Sequence, residues 1–146
     1  MSINYELYHQ HPLNKGIHFV CIPAIVLTSM NFLDEVKFKL FGRNYNCKDI
    51  AKAIYYTYYL NISFKMFVIM FFYIMFLDEA SYQWKMYDKK WKRNSLAVFI
   101  LSWLLQFYGH YVEGKRPTLM DSVTSAAFQA PMYSIKYITY AFSERQ

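Results

Sequence analysis

Residues 53–77, AIYYTYYLNISFKMFVIMFFYIMFL, hold one charge, Lys65, and the number of helices they form decides the fold. A helix of about 20 apolar residues crosses a hydrocarbon core of about 30 Å. The block from 51 to 77 is therefore long for one crossing and short for two. Asn61-Ile62-Ser63, followed by Lys65, is the turn signal inside it.

Two further blocks flank it, residues 17–33 and 95–109, and neither contains Asp, Glu, Lys or Arg. With 55% hydrophobic and 21% aromatic residues, the composition lies above that of soluble domains. In lipid every backbone polar group must be satisfied internally, which leaves helices as the spanning element of such a chain. The expectation is an all-α, multi-span integral membrane bundle of four to five hydrophobic helices, with residues 1–146 forming a single membrane-embedded domain. The rival is a soluble helical domain with long core helices. Charged residues make up 18% of the chain and cluster between the blocks, too few to cover such a bundle with polar surface.

The net charge of +6 points to a lipid bilayer as partner and not to nucleic acid. The cations sit in connecting segments: Lys37, Lys39, Arg43 and Lys48 in one, Lys85, Lys89, Lys90, Lys92 and Arg93 in the next. That is the pattern of loops beside anionic lipid on the cytoplasmic side. Cys21 lies in an apolar block and Cys47 in a polar segment, so no disulfide is expected. The N-terminus lacks a basic stretch ahead of a short apolar run, and no removable signal peptide is expected. Patterns for nucleotide binding, serine hydrolysis and zincin chemistry do not occur.

The connections are read as follows. Pro12 ends a polar lead-in, and Asn14 is available to cap the next helix. Residues 34–50 form a polar loop with Gly42 and Asn44 as turn formers, and 78–94 a second, strongly charged connection that is in part helical. Residues 118–142 make a last apolar segment, in which Pro131 is expected to kink or break a helix.

Histidines carry the chemistry in this reading. His9 and His18 lie at the first apolar segment, and His110 closes a later one. Neutral imidazole suits iron and zinc alike, and three converging rings leave open coordination positions. The spacing of His9 and His18 matches no compact metal motif. If His18 and His110 share a site, an even number of crossings separates them, which favours a helical hairpin in residues 51–77 continuing towards Trp84. Glu113, one turn beyond His110, would complete a His–carboxylate set; its competing role is an interfacial pair with Lys115 or Arg116. Arg116 suits either a substrate carboxylate or a lipid phosphate. Asp121 is a candidate as an intramembrane ionisable group, against helix capping or interhelical bonding. His11 is read as an interfacial imidazole turned away from the site.

His9, Asn14, His18, Ile22-Pro23, Trp103, Gln106, Gly109-His110, Arg116-Pro117, Leu119, Asp121 and Ala130-Pro131 together resemble the 2-hydroxy fatty acid dioxygenases of fatty-acid alpha-oxidation. These small membrane proteins metabolise phytosphingosine to odd-numbered fatty acids. The resemblance implies a multi-pass enzyme of the endoplasmic reticulum membrane that uses iron(II) and dioxygen to shorten a 2-hydroxy long-chain fatty acid by one carbon. It implies His9, His18 and His110 as metal ligands, with Glu113, Arg116 and Asp121 as candidate catalytic residues. The likeness departs at acidic positions. The family's Glu after Gly-His comes one residue later than Glu113, and Tyr137 and Ser125 stand where the family has Glu and Gln. Membrane di-iron hydroxylases use about eight histidines, and this chain has 4. The non-enzymatic rival is a membrane scaffold or lipid-binding protein.

Overall fold

The computed structural model describes residues 11–114, 117 and 123–143, with backbone alone for 125 and 136–143. In chain order these form α1 (Pro12–Leu33), β1 (Lys37–Leu40), β2 (Arg43–Asn46), α2 (Cys47–Ile62), α3 (Phe64–Tyr87), α4 (Trp91–Glu113) and α5 (Val123–Ser143). The chain divides into two compact units, residues 26–99 and residues 1–25 with 100–146.

In the unit of residues 26–99, α2 and α3 pack as an antiparallel hairpin. Tyr56 meets Phe67 and Phe71 at ring distances of 6.1 and 5.2 Å, and Lys52 Nζ reaches Asp78 at 2.6 Å. Ser63 makes the break between them. Its extended backbone (φ −168°, ψ 151°) ends α2, and its hydroxyl accepts the Met66 N–H at 3.1 Å to cap α3. This is the turn expected from Asn61-Ile62-Ser63, and α3 runs beyond Trp84 to Tyr87.

Asn31 ties three helices in this unit. Its Nδ2 donates to Ser95 Oγ at 2.8 Å on α4, and its Oδ1 accepts from Ser81 Oγ at 2.5 Å on α3. All three are fully buried, so both ends of a group that is costly to bury are satisfied. At the polar edge, Asp34 bonds Lys48 at 3.2 Å and Lys85 at 2.8 Å, and Lys48 bridges on to Asp78 at 2.9 Å. Burial alone would raise the Asp34 carboxyl, but the Lys85 and Lys48 ammonium groups outweigh it and hold the pKa below its ordinary value.

Several sequence expectations are corrected here. Residues 34–50 are not a plain loop: β1 and β2 pair antiparallel around Phe41-Gly42, and Asn44 lies in a strand opposite Lys39. Positive φ at Phe41 (48°) and Gly42 (77°) is the pattern of a type I′ hairpin turn. Residues 78–94, expected to be helical in part, are helical except between Tyr87 and Trp91. There the Asp88 carboxylate accepts from Trp84 Nε1, the Lys90 N–H and Asn94 Nδ2, joining the two helix ends. Pro131 does not interrupt α5.

Two described helices are long and apolar enough to cross a membrane, Pro12–Leu33 and Trp91–Glu113. Of their most apolar windows, 33% and 22% are buried within the chain. The 16 residues of α2 rise about 24 Å, short of a bilayer core of about 30 Å.

Candidate functional site

The unit of residues 1–25 and 100–146 is organised by two matching polar stripes. Asn14, His18, Cys21 and Ile22 are buried on α1; Ser102, Gln106, Gly109 and His110 are buried on α4. Each set has the spacing i, i+4, i+7, i+8, which is one face of a helix. The helices run antiparallel here, with Asn14 beside Glu113, His18 beside His110, and Cys21 hydrogen-bonded to Ser102.

His18 and His110 meet edge to face, ring centroids 4.9 Å apart and planes at 85°. His18 Nδ1 lies 2.9 Å from the Asn14 carbonyl oxygen, one turn back on α1. A carbonyl only accepts, so Nδ1 carries the proton and the lone pair of the neutral ring is on Nε2. A backbone carbonyl behind the ring is the usual outer support of a metal-ligating histidine.

Asn14 is the hub of the stripe. It sits inside the first turn of α1 and does not cap the helix, contrary to the sequence expectation. Its Nδ2 donates to Glu113 Oε2 in a short bond, while Glu113 Oε1 accepts from the His11 N–H at 3.2 Å. The cap is His11, whose Nδ1 accepts from the Leu13 N–H at 3.2 Å with Pro12 in the first helical position. Glu113 is thus half-buried with both oxygens engaged on the N-terminal end of α1, where the helix dipole favours negative charge.

Two buried polar atoms in the stripe, Asn14 Oδ1 and Gln106 Nε2, have no hydrogen-bond partner among the described residues. Gln106 precedes His110 by one turn on the same face. Asn14 Oδ1 packs against Gly109, whereas Gln106 Nε2 marks a place for a polar ligand or water. Among the described residues, no three His, Cys, Asp or Glu side chains gather as a metal site. The described part therefore offers a histidine pair with one ring already oriented. His9, Arg116 and Asp121 lie outside the described residues.

The polar spacing that places Asn14, Gln106 and Gly109 beside the histidines was present in the sequence. Read singly, Asn14 passes for a cap; read as two stripes of equal spacing, Asn14 and Gln106 belong to one site.

Residues 2–142 match the Mpo1-like family, described as 2-hydroxy-palmitic acid dioxygenase Mpo1-like. The chain belongs to this family. It is also 27% identical over 139 residues to the 2-hydroxy-palmitic acid dioxygenase MPO1 of Saccharomyces cerevisiae, covering 88% of this chain and 72% of the yeast protein. No solved structure matches. The match to the family spans both helices of the histidine pair.

Proposed function

We propose that this chain is an iron(II)-dependent dioxygenase of the endoplasmic reticulum membrane, spanning it several times. It shortens 2-hydroxy long-chain fatty acids by one carbon in the alpha-oxidation that follows sphingoid-base breakdown. The observation that carries the reading is the buried pair His18–His110, at 4.9 Å, with His18 Nδ1 fixed by the Asn14 carbonyl. The orientation supports ligation in one respect: with Nδ1 bonded to the backbone carbonyl, Nε2 is the atom of His18 that would face an ion.

The donor set suits iron. His18 through Nε2, His110 and His9 would hold the ion, and a neutral imidazole set leaves positions open for other ligands. Iron(II), when bound, supplies the binding and activation of dioxygen. The net reaction balances without a further reductant: a 2-hydroxy acid and one dioxygen give the acid one carbon shorter, carbon dioxide and water. The carboxyl carbon leaves as carbon dioxide and the hydroxyl-bearing carbon becomes the new carboxyl.

The chain's own part is orientation and exclusion of water. Gln106 Nε2 would donate to the oxygen-bearing head of the substrate, and Arg116 would pair with its carboxylate. The acyl tail would lie in the apolar bundle among aromatic and Met side chains. Asn14 keeps Glu113 and His18 in register, so the head of the substrate meets a fixed polar stripe.

Protein purified in detergent and supplied with iron(II), dioxygen and 2-hydroxypalmitate is expected to release carbon dioxide and the acid one carbon shorter. A chelator is expected to abolish both. Iron-loaded protein that leaves the hydroxy acid unchanged refutes the reaction and favours a lipid-binding or scaffold role.

A further inference from the structure

The β1–β2 ribbon is two-faced. Its register puts Phe38 opposite Tyr45 and Leu40 opposite Arg43 on one face, and Lys37 opposite Asn46 and Lys39 opposite Asn44 on the other. Phe38 and Tyr45 stack at a ring distance of 6.1 Å, yet Leu40 and Tyr45 remain exposed. At the tip, Phe41 is 94% exposed. A large aromatic ring almost wholly in solvent contributes nothing to packing.

Phe41 also has a φ of 48°, the left-handed conformation that Gly and Asn adopt readily and an aromatic residue does not. Two unfavourable features at one residue, a disfavoured backbone and a bare ring, point to a gain made outside the chain. A two-stranded ribbon is marginal in water, and this one leaves its apolar face open.

Charge identifies the partner. Residues 36–48 contain no Asp or Glu. Lys37, Lys39 and Arg43 are exposed and make no ion pair with any described residue, whereas Lys48 nearby is taken up by Asp34 and Asp78. Apolar and aromatic side chains on one face with unneutralised cations around them is the composition of an element lying in the interface of an anionic leaflet.

We propose that the β1–β2 ribbon is a lipid-surface anchor. Phe41 and Leu40 enter the boundary between headgroups and acyl chains, and Lys37, Lys39 and Arg43 reach back to anionic headgroups. The long lysine stems suit this, because they lie along apolar surface while the ammonium stays among phosphates. The anchor rests on the membrane placement put forward above and is independent of the dioxygenase assignment.

The test uses full-length protein reconstituted into phosphatidylcholine vesicles with and without phosphatidylserine. A spin label is attached at Phe41→Cys in a Cys47→Ser background, with unsubstituted position 41 as the control for residual labelling at buried Cys21. A label at Leu104→Cys, on the exposed face of α4, reports membrane placement separately. With phosphatidylserine, the label at position 41 is expected to collide more with oxygen than with an aqueous nickel chelate, and Lys39→Ala is expected to reduce its partition about fivefold, the equivalent of one basic residue near an anionic surface. Water-like collision at position 41 with a lipid-like signal at position 104 overturns the anchor and leaves the membrane reading standing. Water-like signals at both positions overturn the two together. A label at 41 shielded from both probes only at high protein density assigns the tip to a second copy of the chain and also overturns the lipid proposal.

Discussion

The side-chain oxygen of Asn14 occupies the space that a Cβ on residue 109 would need. Such an atom would collide with Asn14 Oδ1 and lie 3.2 Å from Asn14 Cγ and 3.3 Å from Ile17 Cδ1. Gly109 precedes His110 directly, so the closeness of α1 and α4 at the histidine pair depends on a missing side chain.

Gly109→Ala tests that dependence. In an open helix the change stabilises by about 1 kcal/mol, whereas overpacking a close contact costs about 1–3 kcal/mol. The collision is with a fully buried side chain hydrogen-bonded to Glu113, so the cost should prevail. Thermal unfolding in detergent should show Gly109→Ala destabilised and Asn14→Ala/Gly109→Ala no worse than Asn14→Ala alone. Additive losses in the double variant would show that the two residues do not compete for space.

His110→Ala should accumulate in the membrane, lose bound iron and lose turnover. His18→Ala should do the same. His11→Ala forfeits the cap on Leu13 and about 1 kcal/mol of stability but keeps iron and most activity. Metal analysis beside the activity assay separates the roles, and iron retained without loss in His110→Ala removes that residue from the site.

Acid should destabilise the polar edge of residues 26–99 through Asp34. Its folded pKa is lowered, so its contribution is full above the unfolded value of about 3.9 and disappears as pH falls through the lower folded value. Glu35 acts in the same direction, since the hydrogen bond from Lys85 holds its carboxyl down as well. Melting temperatures of the native protein and Asp34→Asn should therefore differ at about pH 6 and converge as the pH drops below about 4. A difference that stays constant over that range would mean the Asp34 ion pairs are not what stabilises the edge.

The helical content and the break at Ser63 were legible because apolar blocks and a single polar turn speak directly in sequence. The approach of His18 to His110 was the premise and not the result: counting crossings on that premise is what favoured a hairpin in residues 51–77. The ribbon at residues 37–46 was not legible: Phe41 at the turn is a residue that hairpin rules disfavour, and Asn44 advertises a turn while pairing with Lys39. Helix in 78–94 was legible as far as Trp84, where the second arm of the hairpin was expected to run; that α4 begins as early as Trp91 was not, because the charges there suggest a connection, whereas Asp88 uses its carboxylate to join two helix ends. Asn14 was misread for a similar reason. An Asn near Pro12 has the look of a cap, but the imidazole of His11, a rarer capping group, takes that place and releases Asn14 to bond Glu113.

Glu113 has two competing roles, metal ligand or anchor of α1, and one substitution separates them. Both of its oxygens accept from α1, Oε1 from the His11 N–H and Oε2 from Asn14 Nδ2. Glu113→Gln keeps the shape but replaces one acceptor with an amide donor, which then opposes another donor. Loss of a charge-assisted bond with a buried partner left unsatisfied costs about 1–3 kcal/mol. The expected variant melts lower, binds iron as the native protein does, and loses activity only to the extent that the Asn14–His18 register loosens. A Glu113→Gln protein that melts as the native protein does and has lost its iron would instead make Glu113 a ligand.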